Sequence, residues 1–328
     1  MRKTEKIGIF NTWIGSDNIG DAIIMDCCKK MLLKEFKNDF YVEIPTHLSL
    51  YDKEFYIFND LKYVFVCGTN LLSNKMNIRS RKNQWHIGIK FLYYIWKNKI
   101  DNIILLGVGW NNYSIKENFM GKLFLKTILS KKFIHSVRDE YTRDKLKNMG
   151  IENVINTGCP TTWDLTENYS QNIATEKSDT VVVTVTDYNR DYIKDKKMFD
   201  ILEKNYNKIV IFPQSFADID YVEELIGKTD KNKYEWLAPN LESYDEFLNN
   251  NSCDYVGTRL HGGIRALQKL KRTFIIGIDN RALEMKEINL PIINRENIEI
   301  LEEKINKDER LNLKINAKKI MEWKNQFI

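Results

Sequence analysis

The chain has 328 residues, and at roughly 150 residues per domain this length predicts two domains. Hydrophobic residues make up 43% and charged residues 29%, which is typical of globular proteins and excludes the collagen-like and disordered classes. The formal net charge of +5 is far below the dense basic charge of a dedicated nucleic-acid binder, so we expect no nucleic-acid partner.

Short apolar runs alternate with amphipathic stretches along the first half of the chain. This alternation is typical of a parallel sheet covered by helices on both faces. The predicted strands are Ile7–Asn11, Tyr63–Cys67, Asn102–Val108, Phe133–Val137 and Val154–Asn156. The predicted helices are Asp21–Phe36, Trp85–Lys97, Lys116–Leu129 and Asp139–Met149, and Gly150 ends the last of them.

The polar segment Thr166–Thr180 has no clear period and is interpreted as a linker, after which the alternation restarts. The predicted strands are Thr180–Thr186, Lys208–Phe212, Tyr234–Leu237, Asp254–Gly257 and Arg272–Ile278. The predicted helices are Asp195–Asn205, Tyr221–Gly227, Tyr244–Asn250, Leu260–Gln268 and Glu302–Phe327. The pattern predicts an α/β fold of two doubly wound, Rossmann-like parallel-sheet domains, 1–168 and 169–328, facing a cleft.

The sequence indicates a cytoplasmic protein. Its longest apolar run, Ile103–Trp110, is far shorter than the ~20 residues of a membrane-spanning helix. Residues 1–6 are charged and lead straight into a strand, which does not fit a signal peptide. The five cysteines are odd in number and lack metal-ligand spacing, so we expect reduced thiols, no metal and no cofactor.

The strongest functional signal lies at residues 257–263, where a strand ends in Gly-Thr and Arg259, His261, Gly262 and Gly263 open a helix. Backbone N–H groups and the helix dipole attract anions at such a position. Arg259 adds a cation that can grip a carboxylate or phosphate, and His261 adds a side chain that titrates near neutrality. A capped helix with a surface Arg and a packed His is the alternative.

Three weaker signals follow other strands. Arg138 follows the predicted strand 133–137 and is a second candidate anion contact, with Asp139 as the helix cap. Asn18-Ile19-Gly20-Asp21 follows the first strand, and there Asp21 is either a helix cap or an acceptor for a sugar hydroxyl. Arg281 lies beyond the last predicted strand and is either another cation for the ligand or part of a plain turn.

An aromatic stretch, Phe91 to Trp96, carries Lys90, Lys97 and Lys99 around it. Such a stretch is more often core packing, and contact with a membrane surface is the alternative.

Several of these segments together resemble the polysaccharide pyruvyl transferase family, from about residue 7 to about residue 290. The matching segments are Asn18-Ile19-Gly20-Asp21, Cys67-Gly68-Thr69, Gly107-Val108-Gly109, Ser136-Val137-Arg138-Asp139 and Arg259-Leu260-His261-Gly262. The family is similar in fold to two-domain glycosyltransferases of the GT-B type. Its members move the enolpyruvyl carbons of phosphoenolpyruvate onto two hydroxyls of a sugar, leaving a pyruvate ketal and free phosphate.

The resemblance implies that phosphoenolpyruvate is the co-substrate and that a glycan or lipid-linked sugar of a cell-surface polymer is the acceptor. It also implies Arg138 and Arg259 as phosphoenolpyruvate contacts and His261 as the catalytic acid or base, with Arg259 counted in the catalytic set. We expect the remaining substrate contacts to come from Arg281, Gly262, Asn18, Asp21, Gly68 and Thr69.

The chain departs from the family pattern at three places: Cys67 within a turn that is often three glycines, Cys159 before Pro160, and Arg281 where many members have Lys. An Arg keeps the charge but cannot act as a proton donor. Two other functions compete with pyruvyl transfer: a GT-B glycosyltransferase using a nucleotide sugar, and a non-catalytic sugar-binding protein. A peripheral contact with the inner face of the membrane would accompany a lipid-linked acceptor.

Overall fold

The computed structural model describes residues 4–48, 50, 52–73, 84–85, 87–111, 119–227, 233–279, 282 and 285–328. The fold is α/β with parallel sheets, as predicted, and the chain forms two compact units. Unit 1 comprises Met1–Ser16, Ile24–Trp163 and Asn316–Ile328, and unit 2 comprises Asp17–Ile23 and Asp164–Ile315.

The sheet of unit 1 has the strand order β2-β1-β3-β4, and all its pairings are parallel. Its strands are β1 (Lys6–Asn11), β2 (Phe40–Pro45), β3 (Leu61–Cys67) and β4 (Ile103–Leu106). A parallel pair, β5 (His135–Val137) and β6 (Val154–Asn156), continues beside β4, because Gly107 N–H donates to the Ser136 carbonyl at 3.0 Å and Val108 bridges Val137. The helices of the first half are α1 (Ile19–Glu35), α2 (Ile89–Lys97), α3 (Phe119–Ile128) and α4 (Glu140–Asn148).

Unit 2 contains a six-stranded parallel sheet with the order β12-β11-β10-β7-β8-β9. Its strands are β7 (Thr180–Thr184), β8 (Lys208–Ile211), β9 (Tyr234–Trp236), β10 (Asp254–Gly257), β11 (Thr273–Gly277) and β12 (Ile292–Asn294). Its helices are α5 (Glu167–Ser170), α6 (Tyr192–Asn205), α7 (Phe216–Ile226), α8 (Leu241–Asn250), α9 (Leu260–Gln268) and α10 (Ile300–Ile305). Buried Val, Ile and Phe side chains of these strands form the core, as expected for a sheet covered on both faces.

The end of the chain differs from the prediction of one helix over Glu302–Phe327 within the second domain. The structure has α10 in unit 2 and a separate helix, α11 (Ala317–Asn325), in unit 1. Residues 306–316 separate the two helices, and the Asn316 side chain caps the start of α11 by accepting from Lys319 N–H at 3.1 Å. Trp323 and Phe327 then bury their rings among the aromatic side chains of unit 1.

The unit boundaries also differ from the predicted division at residue 168. The change of unit falls between Trp163 and Asp164, and residues 17–23, including the first turn of α1, cluster with unit 2. Within the described ranges, no helix combines the length and apolar character needed to cross a bilayer.

Candidate active site

The polar residues of unit 2 gather at one edge of its sheet. β10 pairs with β7 and β7 with β8, all in parallel, so the loops that follow these three strands lie side by side. The loop after β7 carries Asp187, the loop after β8 carries Gln214 and Ser215, and the loop after β10 carries Arg259. This is the edge at which open parallel sheets bind ligands.

Arg259 lies buried in the middle of this edge and is held by a network of acceptors. Its Nε donates to the Val185 carbonyl at 3.0 Å and to Asp218 Oδ2 at 3.1 Å. Its Nη2 donates to Asp187 Oδ1 at 3.0 Å, to Ser215 Oγ at 2.9 Å, and to Asp218 Oδ1. Two carboxylates therefore compensate the one guanidinium, and Arg259 joins three strand ends. Its predicted contact with an anionic substrate stays a prediction.

Asp218, in the first turn of α7, is fully buried and is the main partner of Arg259. It also accepts from the backbone N–H groups of Gln214 and Ser215, at 3.0 and 3.1 Å. Burial raises the pKa of the Asp218 carboxyl, while the charge of Arg259 and these hydrogen bonds act in the opposite direction. The arrangement fixes the loop after β8 against the start of α9.

His261 is half-buried in the first turn of α9, at the carboxyl end of β10. Two hydrogen bonds hold this turn: Tyr255 Oη donates to the Arg259 carbonyl at 2.7 Å, and Tyr244 Oη donates to the Gly262 carbonyl at 2.9 Å. The backbone position of His261 is therefore fixed on both sides. The predicted strand end and helix start at this motif are confirmed.

The two glycines that follow His261 allow close packing of α9. A Cβ on Gly262 would lie 2.2 Å from Gln214 Nε2, and one on Gly263 would lie 2.5 Å from an Ile275 side-chain carbon. The Nε2 atom of Gln214 is buried and has no hydrogen-bond partner among the described residues. A buried amide of this kind calls for a polar partner, so Gln214 is a candidate ligand contact beside His261.

The Asn18–Asp21 segment belongs to the same edge of unit 2. Ile19 N–H donates to the Gln214 carbonyl at 2.9 Å, which places the start of α1 next to the loop after β8. Asn18 caps α1, since its Oδ1 accepts from Gly20 N–H at 3.1 Å, and Asp21 is buried. The residue that caps this helix is thus Asn18, and a substrate contact by Asp21 stays a prediction.

The carboxyl edge of the sheet in unit 1 holds a second set of polar groups. Gly68 and Thr69 follow β3 with positive φ values of 54° and 49°, and a Cβ on Gly68 would lie 2.1 Å from Ile24 Cγ2. A positive φ in a threonine is strained, and such strain concentrates at functional sites. The loops after β1, β2 and β3 also contain buried polar atoms that have no partner within the described ranges: Thr12 Oγ1, Thr46 Oγ1, His47 Nε2 and Asn70 Oδ1.

Arg138 lies in unit 1, buried at the end of β5. Its Nη2 pairs with Asp139 Oδ2 at 3.1 Å, and Asp139 caps α4 by accepting from Thr142 N–H at 2.7 Å, as predicted. The guanidinium fills the space beside Gly109, where a Cβ would lie 2.5 Å from its carbon atom. Its contact with a substrate anion stays a prediction, and so does its meeting with Arg259 and His261.

Away from these two sheet edges, the structure tests neither Arg281 nor the expected absence of a metal, and it shows a fully buried histidine. Arg281 lies outside the described residues. His135 is a satisfied core histidine, because its Nδ1 accepts from Leu105 N–H at 3.2 Å and its Nε2 lies 2.8 Å from the Ser130 carbonyl. Burial lowers the pKa of His135 to about 4. Among the described residues, no three His, Cys, Asp or Glu side chains are grouped as ligands for a metal ion.

The partners of Arg259 are not predictable from the local sequence pattern. Asp187 and Asp218 are 72 and 41 residues away from it along the chain, so no local pattern links them. One local pattern does point to Asp218. It follows Ser215 by three residues, which is the spacing of a capping box and predicts a helix start directly after β8.

The sequence model of the polysaccharide pyruvyl transferase family matches residues 18–280 of this chain. The match covers well over half of the chain, and the chain therefore belongs to this family. The matched range includes Asn18, Arg138, Arg259 and His261, which lie in the strand-to-helix connections or in the first turn of the following helix. No curated protein matches the sequence.

Solved structures show the same fold at low sequence identity. A UDP-GlcNAc 2-epimerase from Methanocaldococcus jannaschii, in complex with UDP-GlcNAc and UDP, has a TM-score of 0.54 at 14% identity, covering 98% of this chain and 99% of its own. A UDP co-structure of S. aureus MnaA has a TM-score of 0.52 at 12% identity, covering 99% and 98%. The fold is thus GT-B-like, as predicted.

Proposed function

We propose that this transferase moves the enolpyruvyl carbons of phosphoenolpyruvate onto two hydroxyls of a sugar in a cell-surface glycan precursor. Family membership supports the transfer of a pyruvyl group to a polysaccharide. The observation that carries the proposal is His261, half-buried in a rigid helix start at the carboxyl edge of the sheet. An ionisable group fixed at a helix N-terminus suits proton transfer beside an anionic substrate.

The chemistry needs one group that delivers and removes protons. Protonation of the methylene carbon of phosphoenolpyruvate generates a cationic centre at C2, and a sugar hydroxyl attacks that carbon as it loses its proton. A second hydroxyl then attacks C2 and loses its proton to the departing phosphate as the C2–O bond to phosphate breaks, and the products are the ketal and free phosphate. We assign the two proton transfers of the first addition to His261, and binding of the donor anion to the N-terminus of α9 with the Gln214 amide.

The acceptor sugar belongs, in this proposal, at the carboxyl edge of the sheet in unit 1. The supporting observation is the set of orphaned atoms in the loops after β1, β2 and β3. Hydroxyl, amide and imidazole groups carry no fixed charge and match the hydroxyls of a sugar, which both donate and accept. The acceptor would be a lipid-linked or nucleotide-linked sugar handled in the cytoplasm.

The decisive measurement is release of phosphate from phosphoenolpyruvate, with and without a glycan acceptor. We expect release that requires the acceptor and falls by about 10²-fold or more in His261→Gln, because general acid–base catalysis contributes that much. Lys269→Ala, at the C-terminal end of the same helix, is the matched control and should keep full activity. Undiminished release in His261→Gln would remove His261 from the mechanism.

A nucleotide-sugar glycosyltransferase is the second candidate, since two structures with the same fold are described as complexes with UDP or UDP-GlcNAc. The anion site at α9 would then hold a diphosphate. Thermal-shift measurements separate the candidates. Stabilisation by phosphoenolpyruvate supports pyruvyl transfer, whereas stabilisation by UDP-sugars with none by phosphoenolpyruvate supports the alternative.

A further inference from the structure

Two neighbouring helices of unit 1, α2 and α3, expose apolar side chains to solvent. Each helix buries one face in the core: Phe91 and Ile95 of α2, and Phe124, Leu125 and Ile128 of α3, all belong to one hydrophobic cluster. The two helices also contact each other. They therefore lie side by side on the same face of the sheet, and their outer faces point to the same side of unit 1.

The outer faces of α2 and α3 carry an unusual set of residues, defined here as the apolar patch. Six large hydrophobic side chains each expose half or more of their surface: Ile89, Tyr93, Trp96, Phe119, Met120 and Leu123. Their spacing is i, i+4, i+7 on α2 and i, i+1, i+4 on α3, so each set forms a stripe along its helix. Apolar patches on a monomer usually mark an interaction surface.

The charged side chains that α2 and α3 themselves carry are all positive. The two helices carry Lys90, Lys97, Lys122 and Lys126, and their sequences contain no Asp or Glu. Lys97 Nζ lies 5.9 Å from the centre of the Tyr93 ring, so cation and aromatic ring share one surface. Lys90 Nζ pairs with Oδ2 of Asp52, which lies outside the two helices, at 2.8 Å. The net positive charge of the two helices therefore comes from the other three lysines.

We propose that the apolar patch is a docking surface for an anionic lipid bilayer. Exposed Trp, Tyr, Phe and Leu beside lysines form the composition with which amphipathic helices lie in a membrane interface. Anionic headgroups attract each nearby lysine. A second copy of the chain fits this surface less well, because self-association would bring the lysines of two identical faces together.

Docking would hold the enzyme at the surface where lipid-linked sugars are found. The inference does not depend on the proposed reaction, because vesicle binding requires neither phosphoenolpyruvate nor turnover. It also refines the prediction from sequence: Phe91 and Ile95 pack in the core, while Tyr93 and Trp96 of the same stretch are exposed.

Co-sedimentation with vesicles tests the proposal. The full-length protein is mixed with vesicles of phosphatidylcholine alone or of phosphatidylcholine with phosphatidylglycerol, at low and high salt. We expect binding to the anionic vesicles that weakens with salt. Two double variants, W96S/F119S and K97E/K122E, should each bind roughly tenfold or more weakly, because one removes inserted rings and the other reverses the attraction.

Two controls match these variants. Ile193→Ser removes an exposed apolar side chain of unit 2, and Lys318→Glu reverses an exposed charge on α11; both should bind like the wild type. The melting temperature of each variant shows that it is folded. Equal vesicle binding by the wild type and both double variants, or no binding by the wild type, overturns the proposal. A wild-type dimer that dissociates in W96S/F119S overturns it in favour of self-association.

Discussion

Arg259 was singled out by the sequence, and the structure adds protein partners that the sequence does not show. A strand end followed by Arg at a helix start predicts a cation open to an anionic ligand. The structure gives that cation two carboxylate partners and a backbone carbonyl, all inside unit 2. Such a buried network fixes the position of the guanidinium, and a contact between Arg259 and a substrate anion stays a prediction. The residue type and position were readable from the sequence, whereas its partners were not, because they come from distant segments.

The pairing of Arg259 with Asp218 predicts a large and pH-dependent loss of stability in Arg259→Met. Removing the cation leaves the fully buried Asp218 unpaired, which should lower the free energy of unfolding by about 3–5 kcal/mol at neutral pH. Burial raises the pKa of Asp218, and without Arg259 that pKa rises further. A buried carboxyl with a raised pKa destabilises the folded state only at pH values where it is ionised. The difference in free energy of unfolding between Arg259→Met and the wild type should therefore shrink as pH falls.

Urea unfolding at several pH values measures this deficit for Arg259→Met against the wild type. Lys6→Met is the control, because Lys6 pairs with Asp60 at 3.3 Å and both side chains are more than half exposed. Its loss should stay below about 1 kcal/mol. A deficit for Arg259→Met that is equally small, or that does not change with pH, would contradict the buried-pair interpretation.

At the scale of elements, the alternation of apolar runs and amphipathic stretches predicted most strands and helices. It failed for strands at two edges of the sheets, where part of the strand is exposed. β2 was missed because Phe40 and Glu43 are exposed, so Phe40–Pro45 lacks the continuous apolar run of an internal strand. β12 is another edge strand, only three residues long. The helix α9 was predicted with its observed bounds, although it buries the charged residue Arg265 beside Ile264, Ala266 and Leu267.

The close packing of α9 predicts that Gly262→Ala is destabilising. The new Cβ would meet Gln214 Nε2 at 2.2 Å and Tyr255 Oη at 2.9 Å, so the buried Gln214 side chain, the helix start or the loop after β8 must move. We expect a loss of about 1–3 kcal/mol in the free energy of unfolding, as for other overpacked sites. Transferase activity should fall with it, because His261 precedes this glycine.

Chemical denaturation and phosphate release measure the two effects of Gly262→Ala. Gly88→Ala is the matched control: its φ is negative, and a Cβ there has no neighbour within 4 Å. That variant should keep the stability and activity of the wild type. Wild-type activity in Gly262→Ala would show that the position of His261 does not depend on the contact between α9 and Gln214.

At the scale of the whole molecule, the path of the chain was the feature that sequence could not predict. The strand–helix pattern indicated two parallel-sheet domains. Residues 17–23, near the start of the chain, cluster with unit 2, and the last helix, α11, clusters with unit 1. Amphipathic periodicity predicts that α11 buries one face, but it does not predict against which of the two units that face packs. The aromatic residues near the C-terminus decide this through packing.

This packing makes the C-terminus a structural part of unit 1 and predicts that Phe327→Ala destabilises that unit. The Phe327 ring lies 5.2 Å from Tyr63, 5.3 Å from Phe65 and 5.7 Å from Phe36, measured between ring centres. Because Phe327 is half-buried, we expect a loss of about 2–4 kcal/mol, at or below the usual cost of truncating a core Phe.

Of the seven tryptophans, only Trp236 belongs to unit 2, so tryptophan fluorescence reports mainly on unit 1. The urea midpoint of this signal should fall in Phe327→Ala and stay unchanged in Met321→Ala, which truncates an exposed side chain of α11. Equal midpoints for both variants would mean that unit 1 is stable without the C-terminal aromatic contacts.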